Sequence, residues 1–268
     1  MASRHAAGTA YVALDCHHRN DYRPYFYATR DFGATWQALG TAGLPPDGGS
    51  HTVAEHPANP RVLFAGTERG AWVSVDGGAT WRRFPRGLPP VPVLRFALHP
   101  GQRDLVLGTH GRGLWVVNVA ALDSLTGATF GEAARLFPVP PAYTWRWVDT
   151  RPSGGSRPFF APNPPRGAAV SYWLREAQAG PVRLVVTDAA GDTVRTIQGP
   201  GYAGLQRAQW DGFRDKPRAR AKGDPTTPYE LRLAEPGEYL VTMTVGGVTM
   251  RQPVTLRAWP ADRRGRVR

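Results

Sequence analysis

Apolar and polar positions alternate along much of the chain in short runs. Between His51 and Phe84 these read "HTVAEHP", "RVLFAGT", "GAWVSVD" and "TWRRF", each bounded by Gly, Pro, Asn or Asp. Alternation over four to seven residues sends successive side chains to opposite faces, which marks strands, and no stretch carries a long helical period. The runs also recur. "HPANPRVLFAGTERGAWVSVDGGATWRRF" (His56 to Phe84) aligns with "HPGQRDLVLGTHGRGLWVVNV" (His99 to Val119), setting Gly66 against Gly108 and Trp72 against Trp115. A third copy lies upstream, in "TAYVALD" and "PYFYATRDFGATWQAL".

Four antiparallel strands in a repeat of a little over forty residues predict the blade of a β-propeller. The first copy supplies its second, third and fourth strands, with nothing before residue 8 for the first. The last supplies three strands and no turn motif. Residues 1–121 therefore predict a partial β-propeller of two to three four-stranded blades. Propellers typically close with about four or more blades, so the remaining ones are expected from upstream sequence or from another chain.

Two octapeptides stand in register, "TRDFGATW" (Thr29 to Trp36) and "SVDGGATW" (Ser74 to Trp81). At a hairpin tip, Asp31 and Asp76 are placed to accept hydrogen bonds from turn N–H groups, and Gly33 and Gly78 to adopt angles closed to other residues. Thr29, Ser74, Thr35 and Thr80 add hydroxyl bonds, and Trp36 and Trp81 open the next strand and cover the turn. The pattern resembles the Asp-box, or bacterial neuraminidase repeat. In families that carry it (sialidases, xyloglucanases and sortilin-type receptors) the box lies on the blade periphery, so the resemblance implies a structural rather than catalytic role for both carboxylates.

Residues 122–166 are rich in Pro and Gly and read as a connector entering the next domain. Over residues 167–260, "AAVSYWLRE", "PVRLVVTD", "DTVRTIQ", "LQRAQWD", "GEYLVTMTV" and "VTMRQPVTLR" are six strand candidates, with a two-residue hairpin at Gly246 and Gly247. They predict an immunoglobulin-like β-sandwich with Trp210 as a core anchor, followed by a basic tail over 261–268. "GLQRAQWDG" and "PGEYLVTMTVGG" resemble the paired strands of the immunoglobulin-like domain of flagellar hook-capping proteins. The fold class is thus all-β, and nearly the whole chain resembles the C-terminal region of large bacterial proteins labelled glycosyl hydrolase or sortilin-like repeat proteins. That resemblance implies an extracellular or periplasmic location, although "MASRHAAGTAYVALD" lacks the regions of a signal peptide.

Charge and chemistry refine this picture. The formal charge of +12 rests on 33 basic residues, of which only Lys216 and Lys222 are lysines, and they are scattered rather than gathered in a stripe. Nucleic acid is therefore not expected as a partner, and no apolar run is long enough for a membrane span. The single Cys16 offers neither a disulfide nor a thiolate pair. Asp15, His17, His18 and Asp21 form the densest polar cluster; adjacent His residues on a strand point apart, so a hairpin loop is expected rather than a metal site. No cofactor motif occurs. Glu68 with Arg69 and His110 with Arg112 occupy equivalent turns of neighbouring repeats, and are the candidates for contact with a protein or carbohydrate ligand. The expected function is a non-catalytic binding and scaffold fragment; the alternative is a sialidase- or xyloglucanase-like glycoside hydrolase whose catalytic blades lie outside this chain.

Overall fold

The computed structural model describes residues 1–99, 101, 103–144 and 165–258. Much of the connector and all of the basic tail lie outside the described residues. The chain divides into two compact units, Met1–Phe130 and Gly131–Arg268. Both are built almost wholly of strands, and among the described residues no helix is long and apolar enough to cross a membrane.

Unit 1 holds three antiparallel meanders. The first joins β1 (Ala10–Leu14), β2 (Tyr25–Thr29) and β3 (Gln37–Ala38); the second β4 (Ser50–Glu55), β5 (Leu63–Thr67), β6 (Gly70–Ser74) and β7 (Arg82–Arg83); the third β8 (Val93–His99), β9 (Asp104–Thr109) and β10 (Leu114–Asn118). The outer strands β3 and β7 shrink to two exposed residues each. Edges this short, charged in β7, discourage pairing with foreign strands.

The space before residue 8 is not empty of pairing. Ala2 bridges Ala10, and the Tyr11 N–H donates to the Met1 carbonyl at 2.8 Å, so residues 1–3 stand where the first strand of the repeat belongs. A carboxylate 2% exposed holds them there. Glu55 accepts from the Ser3 hydroxyl at 2.9 Å, from the Arg4 N–H at 2.9 Å and from the Tyr11 hydroxyl at 3.2 Å. Burial and then Glu55 push the Tyr11 phenol up to about 12. These partners lie 44 to 52 residues apart, beyond any local pattern.

The three sheets pack face to face. Trp81 leaves the octapeptide and enters the core between the first two sheets, 5.8 Å from Phe26, with its indole N–H donating to the Gly40 carbonyl at 2.8 Å. It covers the neighbouring sheet, not its own turn. Phe64 meets Phe96 at 6.2 Å between the second and third sheets. There a Cβ on Gly66 would stand 2.5 Å from the Val93 carbonyl at the start of β8, so the glycine permits a close approach. The His-Pro motif closes the same seam. His56, wholly buried, accepts from the Ala58 N–H on Nδ1 and donates from Nε2 to the Val119 carbonyl at 3.3 Å. Asn59 donates to the carbonyls of Leu122 and Leu125.

Among its described residues, unit 2 contains all six strands predicted for the second domain and two more. β11 (Ala134–Leu136) pairs with β13 (Ala168–Leu174), which pairs with β16 (Gly204–Trp210). The second sheet runs β12 (Ala142–Thr144), β18 (Val248–Ala258), β17 (Gly237–Val245), β14 (Val182–Thr187), β15 (Thr193–Gly199), with only β12 and β18 parallel. β11 and β12 fall in the stretch that reads as connector, because prolines flank runs too short to show alternation. One hydrophobic cluster draws Tyr172, Leu174 and Trp210 from one sheet and Leu184, Val241 and Leu256 from the other. Trp210 is fully buried, edge-on to Tyr239 at 5.0 Å. Between β16 and β17 the helix α1 (Pro228–Arg232) starts on a capping box of Thr227 and Glu230.

Candidate functional site

In an up-and-down meander successive turns fall at opposite ends. The octapeptides follow β2 and β6, and so share one end of unit 1. The loops after β1, β5 and β9 share the other, roughly 17 Å away for a five-residue strand.

At the octapeptide end the two turns are near copies. The Thr29 hydroxyl donates to Asp31 at 2.8 Å, and the Ser74 hydroxyl to Asp76 at 2.7 Å. Each hydroxyl also accepts from the glycine N–H, Gly33 at 2.9 Å and Gly78 at 2.8 Å. Each carboxylate takes two bonds from the following threonine: N–H at 2.9 Å in both, hydroxyl at 2.5 Å for Thr35 and 2.6 Å for Thr80. Gly33 and Gly78 have φ of 90° and 91°, a left-handed conformation in which a side chain is strained. The Thr35 hydroxyl and N–H hold the Asp31 carboxyl down at about 2. For Asp76, burial pulls upward and is outweighed by the bonds from Thr80 and Ser74, leaving it below the usual carboxylate range. Both oxygens of each carboxylate thus accept bonds from within their own turn.

The opposite rim carries a different set. His51, its side chain 12% exposed, lies with Nε2 2.9 Å from Glu68 and Nδ1 3.6 Å from Asp15. Asp15 also takes the His17 ring nitrogen at 2.7 Å and the His17 N–H at 3.0 Å. Burial pushes Asp15 up, but the His17 bonds and the nearby imidazoles outweigh it and leave the carboxyl lowered. On the same rim Arg69 pairs with Asp47, and Tyr22 is 49% exposed. The backbone builds the rim: the Gly49 N–H donates to the Tyr22 carbonyl at 2.7 Å, and the Glu68 N–H to the carbonyls of Gly48 and Gly49 at 3.2 Å.

Of the candidates, Glu68 and Arg69 enter this cluster. His110 and Arg112 occupy the equivalent turn of the third sheet, where the His110 N–H donates to the Pro92 carbonyl at 2.9 Å. Among the described residues no hydrogen bond or ion pair joins the two pairs. His51 carries no sequence signal, since a lone histidine at a strand start is unremarkable; only the fold sets it between two carboxylates. His17 and His18 sit in a 3-10 turn (His17–Arg19) rather than on a strand, with ring centroids 3.8 Å apart. Their side chains therefore lie together instead of pointing apart. Among the described residues no group of three or more His, Cys, Asp or Glu is arranged to hold a metal ion.

No protein-family model and no curated protein matches the sequence. Solved structures give fold likenesses. PorZ, a bacterial surface component of the type-IX secretion system of Porphyromonas gingivalis, is similar at 13% identity and a TM-score of 0.34, over 92% of this chain and 29% of that one. The GH74 xyloglucanase of Xanthomonas campestris is similar at 14% identity and a TM-score of 0.35, over 94% of this chain and 46% of that one. An ancestral GH74 enzyme follows at 11% identity and a TM-score of 0.30, over 96% of this chain and 50% of that one. The chain spans half or less of the length of each of these structures.

Proposed function

We propose that residues 1–121 are two to three blades of an Asp-box propeller, that residues 167–260 are an immunoglobulin-like β-sandwich, and that the chain is a non-catalytic binding and scaffold part of a secreted protein. The three consecutive meanders and the duplicate box turns support the first assignment; the two sheets sharing one core support the second. The partner is a protein or glycan, and the chemistry of the rim favours a glycan. The observation that carries this reading is the imidazole of His51 between Asp15 and Glu68, on a rim where Tyr22 is half exposed. An aromatic face stacks on a sugar ring while carboxylates and imidazoles exchange hydrogen bonds with its hydroxyls.

Calorimetric titration with xyloglucan oligosaccharides and sialosides tests the reading. Saturable binding that weakens about tenfold, roughly 1.4 kcal/mol, in Glu68→Gln or His51→Ala is the expected outcome. Absence of binding, or binding indifferent to both substitutions, overturns it. One observation favours a hydrolase instead: Asp15 and Glu68 flank a single imidazole, a spacing of the order of the roughly 6.5–9.5 Å used by inverting glycosidases. Release of sugar that stops in Glu68→Gln decides for that second reading.

A further inference from the structure

The first two sheets continue to match beyond their octapeptides. Both edge strands run on into the same tetrapeptide, Gly43-Leu44-Pro45-Pro46 after β3 and Gly87-Leu88-Pro89-Pro90 after β7. Its leucine is buried in both and closes the same kind of turn: the Leu44 N–H donates to the Thr41 carbonyl at 2.9 Å, and the Leu88 N–H to the Pro85 carbonyl at 3.4 Å. The edge strands also share a register, with Ala38 opposite Tyr27 where Arg83 is opposite Trp72. Ala38, Leu44 and Tyr25 are therefore the counterparts of Arg83, Leu88 and Gly70.

In the second sheet a guanidinium stands among these positions. Nη2 of Arg83 donates to the Leu88 carbonyl at 3.0 Å, and it lies 3.8 Å from where a Cβ on Gly70 would be. The first sheet has alanine in place of that arginine. A cavity of about 400 Å³ opens there, with Ala38, Leu44, Tyr25, Tyr27, Thr41 and Arg23 in its lining. Among the described residues no hydrogen bond reaches the Leu44 carbonyl, although its counterpart accepts one. This place on a sheet stays open whether or not another sheet precedes it, since Arg83 is exposed even with the first sheet packed against the second.

We propose that the cavity receives the side chain of an arginine carried on a peptide of a partner protein, in the place that Arg83 fills for the second sheet. Leu44 offers the acceptor that Leu88 gives Arg83, and Tyr25 and Tyr27 bring aromatic rings. The Tyr25 ring already lies under one guanidinium, that of Arg23, at 5.4 Å. A guanidinium can stack on a ring while donating in its own plane, which the compact, strongly hydrated ammonium of lysine does not match. Arg23 is the only charged residue of the lining, and Asp21 neutralises it, taking its Nε at 2.9 Å and its Nη2 at 2.7 Å. The Tyr25 hydroxyl adds a bond to the same carboxylate at 2.7 Å and so fixes the ring. An incoming cation thus meets a neutral pair, an open carbonyl and aromatic rings. The lining leaves no free charge for the carboxylate and ammonium of a free amino acid, so the arginine comes with both ends in peptide bonds.

Titration of the full chain with acetyl-arginine amide, followed by ligand-observed NMR and calorimetry, tests this. Saturable binding is expected, about tenfold weaker for acetyl-citrulline amide, which keeps the shape without the charge, and weaker also for free arginine. Ala38→Arg supplies the guanidinium from within; it is expected to abolish binding with an unchanged circular dichroism spectrum and a melting temperature no lower than the parent's. Ala38→Ser, too short to reach Leu44, is expected to bind as the parent does. Ala38 is exposed, so neither substitution touches the core. A parent chain that does not bind acetyl-arginine amide overturns the inference, as does binding that persists in Ala38→Arg or that citrulline equals. Free arginine binding as tightly as the blocked form overturns the assignment to a peptide. Loss of xyloglucan oligosaccharide binding in Ala38→Arg, with no binding of acetyl-arginine amide by the parent, makes the cavity a sugar subsite and also overturns it. Glycan binding at the rim is read separately through Glu68→Gln, so the two readings fail independently.

Discussion

At the scale of single residues, Asp31 and Asp76 show how a carboxylate in a polar turn is recruited for structure. Each accepts from two or more donors within four residues. Removing the acceptor leaves those donors to water, and Asp76→Ala is expected to cost about 1–2 kcal/mol in denaturant unfolding while glycan titration is unchanged. The lowered carboxyls also set an acid limit. Their contribution is complete above the unfolded carboxylate range near 4 and is lost as pH falls toward about 2, where Asp31 itself protonates. His56 works in the opposite direction. Burial, only partly offset by Asp123 and the bond to the Val119 carbonyl, lowers its affinity for a proton. The unfolded chain therefore binds the proton more readily, so stability is highest above about 6.5 and declines as pH falls through that range. In His56→Gln, melting followed from pH 7.5 to 5.5 is expected to flatten relative to the parent.

At the scale of elements, the repeat places two glycines in equivalent strands, and their surroundings separate them. Gly66→Ala in β5 must displace Thr52 or the start of β8, an overpacking that costs roughly 1–3 kcal/mol. Gly108→Ala in β9 meets only ordinary contacts, and its melting is expected to fall within about 0.5 kcal/mol of the parent. Legibility of the sequence followed the same division between local and distant. β4, β5 and β6 were readable because alternation and flanking Gly or Pro are local, and the octapeptide because its bonds close within eight residues. β11 and β12 were not, being three residues each and stabilised by strands far along the chain. Of the rim, Glu68 and Arg69 were visible through repetition; His51 was not, because its value lies in two neighbours 17 and 36 residues away in "ERG" and "LDC".

At the scale of the molecule, the two ends of unit 1 differ in how their polar groups are engaged. The octapeptide end turns its carboxylates onto donors of their own turns, while the rim end leaves Glu68, His17 and Tyr22 open to solvent. Glu68→Gln is accordingly expected to leave the melting temperature within about a degree of the parent while changing binding; Asp76→Ala shifts melting and not binding. The buried Glu55 latch on Ser3 and Arg4 also bears on how such a chain is made. On the ribosome, residues 3 and 4 emerge well before the carboxylate that holds them, 51 to 52 positions later. His56 and Asn59 in turn wait for Val119, Leu122 and Leu125, 63 to 66 positions on. The first two sheets are thus each sealed by residues synthesised more than one repeat later. A translational pause placed within one repeat of a finished sheet therefore exposes that sheet unsealed, and slow codons are best tolerated after Leu125, when the last of these latches has been delivered.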